Sequence, residues 1–325
     1  MGRSHEDSIQ RSLPQNLTIE TNNNSRKMKS IAHIIKKIRI ADTDFKLSDF
    51  RTRLTENIQK KYLSKENSDL VSQEISKLQH KLYVENCQSL LIILQGMDSS
   101  GKDGTIKHIT KDVNQQGVLI SSFKHPSTQE LEHDYLWRHT IKLPEHGQIA
   151  IFNRSHYENV LISKVHPDLV LAERIYGYND VSKIDNAFWK SRYKQINHFE
   201  KRISETGTHI LKFFLHLSKD EQCNRFLDRI NHQNKHWKFS SSDIEERKYW
   251  TEYQAAYGQA IKHTSTKIAP WYVIPADDKS IAHTLISKIV LDKLKEMNPV
   301  FPAKTKQEER YLQAAKVNLE RELNH

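Results

Sequence analysis

The residues most able to do chemistry lie in a short glycine-rich segment. Five consecutive apolar residues, 90–94, precede the sequence Gln-Gly-Met-Asp-Ser-Ser-Gly-Lys-Asp-Gly at 95–104. Gly96 and Gly101 let a loop turn backbone N–H groups towards an anion, and Lys102 brings a mobile cation beside it. An apolar strand, a glycine loop and then helical spacing of Ile106 and Ile109 predict a phosphate-binding loop. Its candidate ligands are Gly96, Ser99, Gly101, Lys102, Asp103 and Gly104.

The position after Lys102 departs from the usual form of such loops. A Ser or Thr hydroxyl normally follows the lysine and binds Mg²⁺, whereas this chain has Asp103. Asp98, inside the loop, offers a hard carboxylate oxygen of the kind that Mg²⁺ prefers. The sequence therefore predicts Mg²⁺ as cofactor and Asp98 as its ligand. The alternative is a glycine turn between a core strand and a helix.

A second polar segment follows another apolar run. Residues 148–152 are strand-like and end in Asn153-Arg154-Ser155-His156-Tyr157-Glu158. Ligands of α/β sheets bind at the carboxyl ends of the strands, so we expect this segment and the glycine loop to converge. Lys102 and Arg154 would then neutralise the oxygens of a phosphoryl group during its transfer. Asn153 and Glu158 are further candidates for binding phosphate or nucleotide. The alternative for Arg154 is a structural salt bridge with Glu158.

A basic stretch near residue 235 is the third candidate. Ser218 with Glu221, and Ser242 with Glu245, are capping-box patterns that each predict the start of a helix. The result is a helical hairpin, and no acidic residue lies between Arg229 and Ser242. We interpret it as a lid that closes over phosphates, against the alternative of a solvated basic loop. Arg229 is the candidate catalytic cation, and the polyphosphate-binding candidates are Arg225, Lys235 and Lys238.

The remaining chain supplies the elements that position these residues. Strand-like runs at 90–94, 118–120, 148–152, 209–216 and 270–274 alternate with helical segments, including 68–83 and 186–206. This alternation predicts an α/β fold with a parallel, doubly wound sheet. Residues 1–44 are expected to form a flexible extension, and 298–325 a tail that is helical.

Composition narrows the partners. The formal charge of +10 predicts an anionic partner, and charge alone leaves nucleic acid, nucleotide and polyphosphate open. No apolar run reaches membrane-spanning length, and the N-terminal residues lack the apolar core of a secretion signal. We therefore expect a cytoplasmic protein without a membrane partner. Cys87 and Cys223 are interpreted as free thiols.

Four ordered motifs together resemble the polyphosphate kinase 2 family. They are 96–108, 152–158, 235–240 and 271–277, and the resemblance covers about 45–297. It implies a thymidylate-kinase-like P-loop kinase, a three-layer α/β/α domain with a helical lid at about 219–250. It also implies phosphoryl transfer between inorganic polyphosphate and nucleotides with Mg²⁺, in a homo-oligomer, a dimer or tetramer. The family's catalytic residues fall on Asp98, Lys102, Arg154 and Arg229.

One position suggests the branch of that family. Many members have Asp where this chain has Asn153, and Asn153 with Glu158 looks like class III, whose members accept both AMP and ADP. We thus expect conversion of AMP to ADP and of ADP to ATP, with guanine nucleotides also open. Three other interpretations remain: an ATP-dependent nucleoside monophosphate or small-molecule kinase, a nucleic-acid-binding P-loop module, and a catalytically inactive scaffold, which the presence of Lys102 and Arg154 disfavours. The second is disfavoured because the basic residues cluster beside a catalytic loop.

Overall fold

The protein is built on one parallel sheet of five strands. A computed structural model describes residues 31–41, 44–55 and 65–324. The strand order is β2-β3-β1-β4-β5 and every neighbouring pair is parallel. The predicted α/β fold with a doubly wound sheet is therefore confirmed. The strands are β1 (Ser89–Gln95), β2 (Val118–Ser122), β3 (Ile149–Asn153), β4 (Thr208–His216) and β5 (Trp271–Pro275).

Helices cover both faces of this sheet. We number the longer ones α1 (31–38), α2 (Lys65–Glu85), α3 (Lys102–Ile109), α4 (Asn186–Glu205), α5 (Lys219–Asn231), α6 (Trp250–Thr264), α7 (Lys279–Met297) and α8 (Lys306–Leu323). Short helices span Thr128–Leu131, Trp137–Thr140, Ile162–Val165, Asp168–Leu171 and Ser241–Glu246. Short 3-10 helices span Leu47–Asp49, Gln115–Gly117, His156–Val160, Val181–Lys183, Gln233–Lys238 and Arg247–Tyr249.

The apolar run of β1 is the centre of the core. Its side chains alternate between the two faces, as strand geometry requires. Leu91 and Ile93 join the apolar cluster that α4 and α6 cover. Leu90, Ile92 and Leu94 join the cluster on the other face, with α2, α3 and α7. A strand buried on both faces reads as a continuous apolar run, which explains the sequence signal and confirms three layers.

The N-terminal boundary differs from the expectation of a flexible extension over 1–44. Residues 31–38 are helical, and Ile34, Ile38 and Ile40 are buried in the core. The backbone N–H of Ile40 donates to Trp271 O at 2.8 Å, and Arg39 forms an isolated antiparallel bridge with Tyr272. Ile34 and Ile38 are four residues apart and so bury one face of α1, whereas Ile40 follows the helix and packs in the cluster on the other face of the sheet. Residues 1–30 lie outside the described part of the chain.

The predicted hairpin is present, with one boundary moved. Ser218 Oγ accepts from Glu221 N and caps α5, as the sequence pattern indicated. The next helix begins at Ser241 because Ser240, not Ser242, is its cap: Ser240 Oγ accepts from Ser242 N. Two serines precede Ser242, and the first of them occupies the extended conformation that a cap requires.

The C-terminal segment is helical, as predicted. Thr305 and Glu308 form a reciprocal capping box at the start of α8, and α8 has no buried residue. Among the described residues, no helix is both long enough and apolar enough to cross a lipid bilayer.

Candidate active site

The segments after β1 and β3 meet at one edge of the sheet. Leu94 lies beside Asn153 in the strand register, so the two polar segments leave the sheet next to each other. Arg154 Nη2 lies 2.5 Å from Asp98 Oδ1, and Nη1 lies 3.2 Å from Glu158 Oε2. Glu158 is the main reason why the pKa of Arg154 is raised, and Asp98 adds to the effect. Arg154 therefore makes the structural salt bridge considered above while facing the glycine loop.

Lys102 is buried within the loop itself. Its Nζ donates to Gly96 O at 2.7 Å and to Met97 O at 3.2 Å. Burial, followed by the charge of Arg154, lowers its pKa to about 8. Gly101 has φ +105°, a conformation that favours glycine, and a Cβ on Gly96 would lie 3.0 Å from Leu215 O. The predicted loop thus has the close turns that its glycines indicated.

Asp103 occupies the position where a Ser or Thr usually binds Mg²⁺, and its carboxylate contacts the end of β3. It lies in the first turn of α3, and its Oδ1 accepts from Asn153 Nδ2 at 2.8 Å. The Asn153 Oδ1 atom is buried, and within the described residues no hydrogen-bond partner reaches it. Asn153 therefore presents one unpaired amide oxygen beside the carboxylate of Asp103. Position 103 and position 153 act as one unit, which neither motif indicated by itself.

A buried polar network contacts the 153–158 segment through Tyr157. This network was not predicted from the sequence. Lys212 Nζ donates to Glu200 Oε2 at 2.6 Å and to Tyr157 OH at 2.9 Å, and Tyr157 OH donates to Glu200 Oε1 at 2.7 Å. All three side chains are buried. A buried charge requires a partner. A lone lysine inside the apolar run of β4 was therefore the signal that could have revealed it.

Gln95, the last residue of β1, orients Glu158. With its amide turned to satisfy both partners, the NH₂ group donates to Glu158 Oε1 at 2.9 Å and the oxygen accepts from Ser155 N at 3.0 Å. Because Glu158 also accepts from Arg154, its two oxygens are held by different elements. Gln95 and Arg154 together therefore fix the orientation of the Glu158 carboxylate.

The basic residues of the lid face the loop, but several are already paired. Arg229 Nη1 donates to Lys238 O at 3.1 Å and lies 3.5 Å from Asp243 Oδ2. Lys235 Nζ donates to Asp228 Oδ2 at 2.7 Å. The carboxylates come from just outside the acid-free stretch, because the hairpin folds its ends against the tip. Lys238 lies 4.9 Å from the ring centroid of Trp237.

Arg225 differs from the expectation that it binds polyphosphate. It is buried, and each of its five N–H donors has a protein acceptor. Nε donates to Glu221, Nη1 to Ser99 O and Ser100 O, and Nη2 to Ala276 O and Asp277 O. Arg225 therefore lines the cavity beside the loop, but its hydrogen bonds leave no N–H group for a phosphate.

The glycine loop, the segment after β3 and the lid line one cavity of about 910 Å³, whereas Gln95 and the buried network around Lys212 lie outside its lining. The strand order places the segments at the carboxyl ends of β1 and β3, which include the glycine loop, Asn153 and Arg154, between the segment after β2 and the lid, which follows β4. We refer to the lid side and the β2 side of the cavity as its two ends. The β2 side combines aromatic, apolar and charged side chains. Those side chains include Phe123, Leu131, Tyr135, Arg138, His139 and Leu169.

The model of one protein family, "Polyphosphate kinase 2 (PPK2)", matches residues 57–302. The chain belongs to the polyphosphate kinase 2 family. It is 46% identical over 233 residues to the ADP-polyphosphate phosphotransferase of Rhodopseudomonas palustris. The aligned region covers 72% of this chain and 80% of that protein. It is 42% identical to the AMP/ADP-polyphosphate phosphotransferase of Meiothermus ruber, over 72% and 82% of the two chains.

A solved structure of the same family agrees with the fold. The crystal structure of polyphosphate kinase 2 from Arthrobacter aurescens TC1 matches with a TM-score of 0.73 and 34% identity, over 86% of this chain and 95% of that one. The family match ends at residue 302, so α8 lies beyond it. Family membership confirms the resemblance of the four motifs. The roles of individual site residues stay predictions.

Proposed function

We propose that this enzyme transfers phosphoryl groups between inorganic polyphosphate and nucleotides, with AMP converted to ADP and ADP to ATP in one cavity. The observation that carries this proposal is the division of the cavity into two chemically different ends. Lys235, Lys238 and Arg229 line the lid end, and Lys279 adds a further cation. A chain of phosphates has charge and no base, and therefore suits that end.

The opposite end suits a nucleoside. Its Phe123 ring packs against His139 at a centroid distance of 4.2 Å, and Arg138 lies over Phe123 at 5.3 Å. Aromatic and apolar walls with a few polar groups are typical of sites for small organic ligands. The transferring phosphoryl group would then lie between the ends, beside Lys102 and Arg154, whose cations would neutralise its oxygens.

Asn153 supports the use of two acceptors. Its neutral amide adds no negative charge beside the acceptor phosphates, and its unpaired oxygen can accept a hydrogen bond. Of the relatives, the Meiothermus ruber protein is named for both AMP and ADP, and the Rhodopseudomonas palustris protein for ADP. Guanine nucleotides are a further candidate acceptor.

Mg²⁺ is proposed as cofactor, and the residues fit it. Within the described ranges, no group of three or more His, Cys, Asp or Glu side chains could hold a metal ion. Mg²⁺ in kinases is commonly held by one or two carboxylates together with phosphate oxygens. Asp98 would supply a carboxylate, with Asp103 and the unpaired Asn153 oxygen nearby. The bound ion would neutralise phosphate charge.

A homo-oligomer, a dimer or tetramer, is proposed from apolar side chains on α8. Tyr311, Leu312 and Leu319 are exposed in the single chain, and exposed apolar surface favours association. A cytoplasmic location agrees with nucleotide substrates and with Cys87 and Cys223, which are both unpaired.

A donor screen tests the proposed reaction. Purified enzyme with Mg²⁺ is mixed with AMP or ADP and either polyphosphate or ATP, and products are followed by phosphorus NMR. We expect ADP and ATP to form from polyphosphate in the respective tubes. Transfer from ATP alone would instead support the nucleoside monophosphate kinase, and enzyme inert towards AMP would contradict the two-acceptor proposal.

A further inference from the structure

Helix α5 holds the back of the phosphate-binding loop through three consecutive carbonyls. Gln222 Nε2 donates to Asp98 O at 3.0 Å, while Arg225 Nη1 donates to Ser99 O at 3.0 Å and Ser100 O at 3.1 Å. The two preceding carbonyls, of Gly96 and Met97, accept from Lys102. Every carbonyl from 96 to 100 is therefore directed to a protein side chain.

The two donors on α5 are themselves tightly fixed. Gln222 is buried, and its Oε1 accepts from Arg247 Nη1 at 2.8 Å, which leaves the NH₂ group for Asp98 O. Arg225 Nη2 donates to Ala276 O at 2.7 Å, and Nε donates to Glu221 at 2.8 Å. One guanidinium thus ties the loop to the end of β5. A planar fork of five donors can make these contacts together, and an ammonium group cannot.

This arrangement determines where the loop N–H groups point. In a trans peptide the C=O of one residue and the N–H of the next point in opposite directions. The Asp98 and Ser100 carbonyls face α5, so the N–H groups of Ser99 and Gly101 face away from it, and both residues line the cavity. The Ser99 carbonyl also faces α5, and the Ser100 N–H that follows it is used within the loop, where it donates to Met97 O at 3.1 Å. Ser99 has φ +64°, which is unfavourable for a residue with a side chain. The hydrogen bonds from α5 offset that cost.

We propose that Arg225, together with Gln222, is a positioning pair that holds the loop in its phosphate-binding conformation. Arg225 acts through the loop and does not itself bind the polyphosphate chain. This inference depends on the proposed function in one respect, because it takes the bound anion to be a chain of phosphates. Arg229 follows one turn later on α5, so the same helix connects this catalytic candidate to the loop.

The first test replaces Arg225 by lysine, which keeps the charge and loses the fork. Tripolyphosphate binding is measured by calorimetry, which requires no turnover. We expect the Kd of Arg225→Lys to rise about tenfold or more, the order expected when one or two hydrogen bonds from a charged group are lost. The turnover should fall by a similar factor with AMP and with ADP. Arg53→Lys is the matched control, because Arg53 approaches the same Glu221 at 4.0 Å from an exposed position.

Chemical rescue separates geometry from charge. In Arg225→Ala, added guanidinium ion should restore tripolyphosphate affinity and turnover, and ammonium ion should not. Rescue by both ions, or a wild-type Kd in Arg225→Lys, would overturn the proposal in favour of a purely electrostatic role. If the alanine variant does not fold, Gln222→Leu is used in its place, because it removes a single hydrogen-bond donor to the loop. The folded Gln222→Leu protein should also bind tripolyphosphate more weakly than wild type. Wild-type turnover with polyphosphate tests the proposed function separately.

Discussion

At the scale of single residues, Lys102 combines burial with a function that requires charge. Its pKa is lowered to about 8, chiefly by burial and then by Arg154, while Asp98, Glu158 and Asp103 oppose the shift. The amine is therefore cationic below that pH and becomes neutral above it. We expect the KM for polyphosphate to rise as the pH increases through about 8. Lys102→Arg should remove this pH dependence, because arginine stays charged.

Removing the charge altogether should be more damaging. In Lys102→Met we expect turnover to fall about a hundredfold or more with every acceptor, the order seen when one preorganised group is removed from a transition state. Steady-state rates with AMP and ADP, alongside thermal unfolding, measure this. Near-normal turnover in folded Lys102→Met would exclude the loop lysine from the chemistry.

Asn153 is the residue on which acceptor choice is predicted to depend. Its NH₂ group donates to Asp103 at 2.8 Å. In Asn153→Asp two carboxylates would face each other, so one would bind a proton or Mg²⁺ would be drawn to the pair. We expect the ratio of AMP turnover to ADP turnover to change severalfold relative to wild type. The alternative is that Asn153 serves the strand end only. An unchanged ratio would support that alternative.

At the scale of elements, the lid should separate turnover from affinity. Arg229 lies on α5 beside the loop, whereas Lys235 and Lys238 belong to the 3-10 helix at the tip. We expect Arg229→Ala to lower kcat by about a hundredfold, as for other transition-state cations. Lys235→Ala and Lys238→Ala should instead raise the KM for polyphosphate.

The lid itself offers a matched control. Lys248→Ala also removes a lid cation, but Lys248 is exposed and pairs with Glu245. It should leave both kinetic constants unchanged. An active Arg229→Ala with only a lower unfolding temperature would show that the basic tip is structural.

At the scale of the whole molecule, charge should distinguish the two substrates. The chain has a formal charge of +10, and Arg229, Lys235 and Lys238 of the lid line the cavity. Salt screens exposed charges over a Debye length of ~8 Å at physiological ionic strength. Because polyphosphate makes more charge contacts than a nucleotide, its Kd should rise more steeply with salt. Titrations at several ionic strengths measure both slopes, and equal slopes would contradict a dedicated polyphosphate channel.

The sequence by itself determined the sheet, the loop and the converging segments. Each depends on local order: a continuous apolar run for β1, glycines and a lysine at fixed spacing, and polar residues directly after a strand. These signals can be recognised without knowing which residues will contact them in the folded chain. The four motifs together were also sufficient to indicate the family, since their order along the chain is itself informative.

Only the tertiary structure decided which charges are free and which are committed. Arg225 and Arg229 are both arginines on one helix, yet Arg225 is buried with all five donors on protein acceptors. Arg229 instead contacts Lys238 O and Asp243 through Nη1. Lys212 meets Glu200 from another element, and Asn153 meets Asp103 across the site. Likewise α1 joins the core because its isoleucines meet residues far along the chain. A residue's charge follows from its type, whereas its partners follow from how distant segments pack.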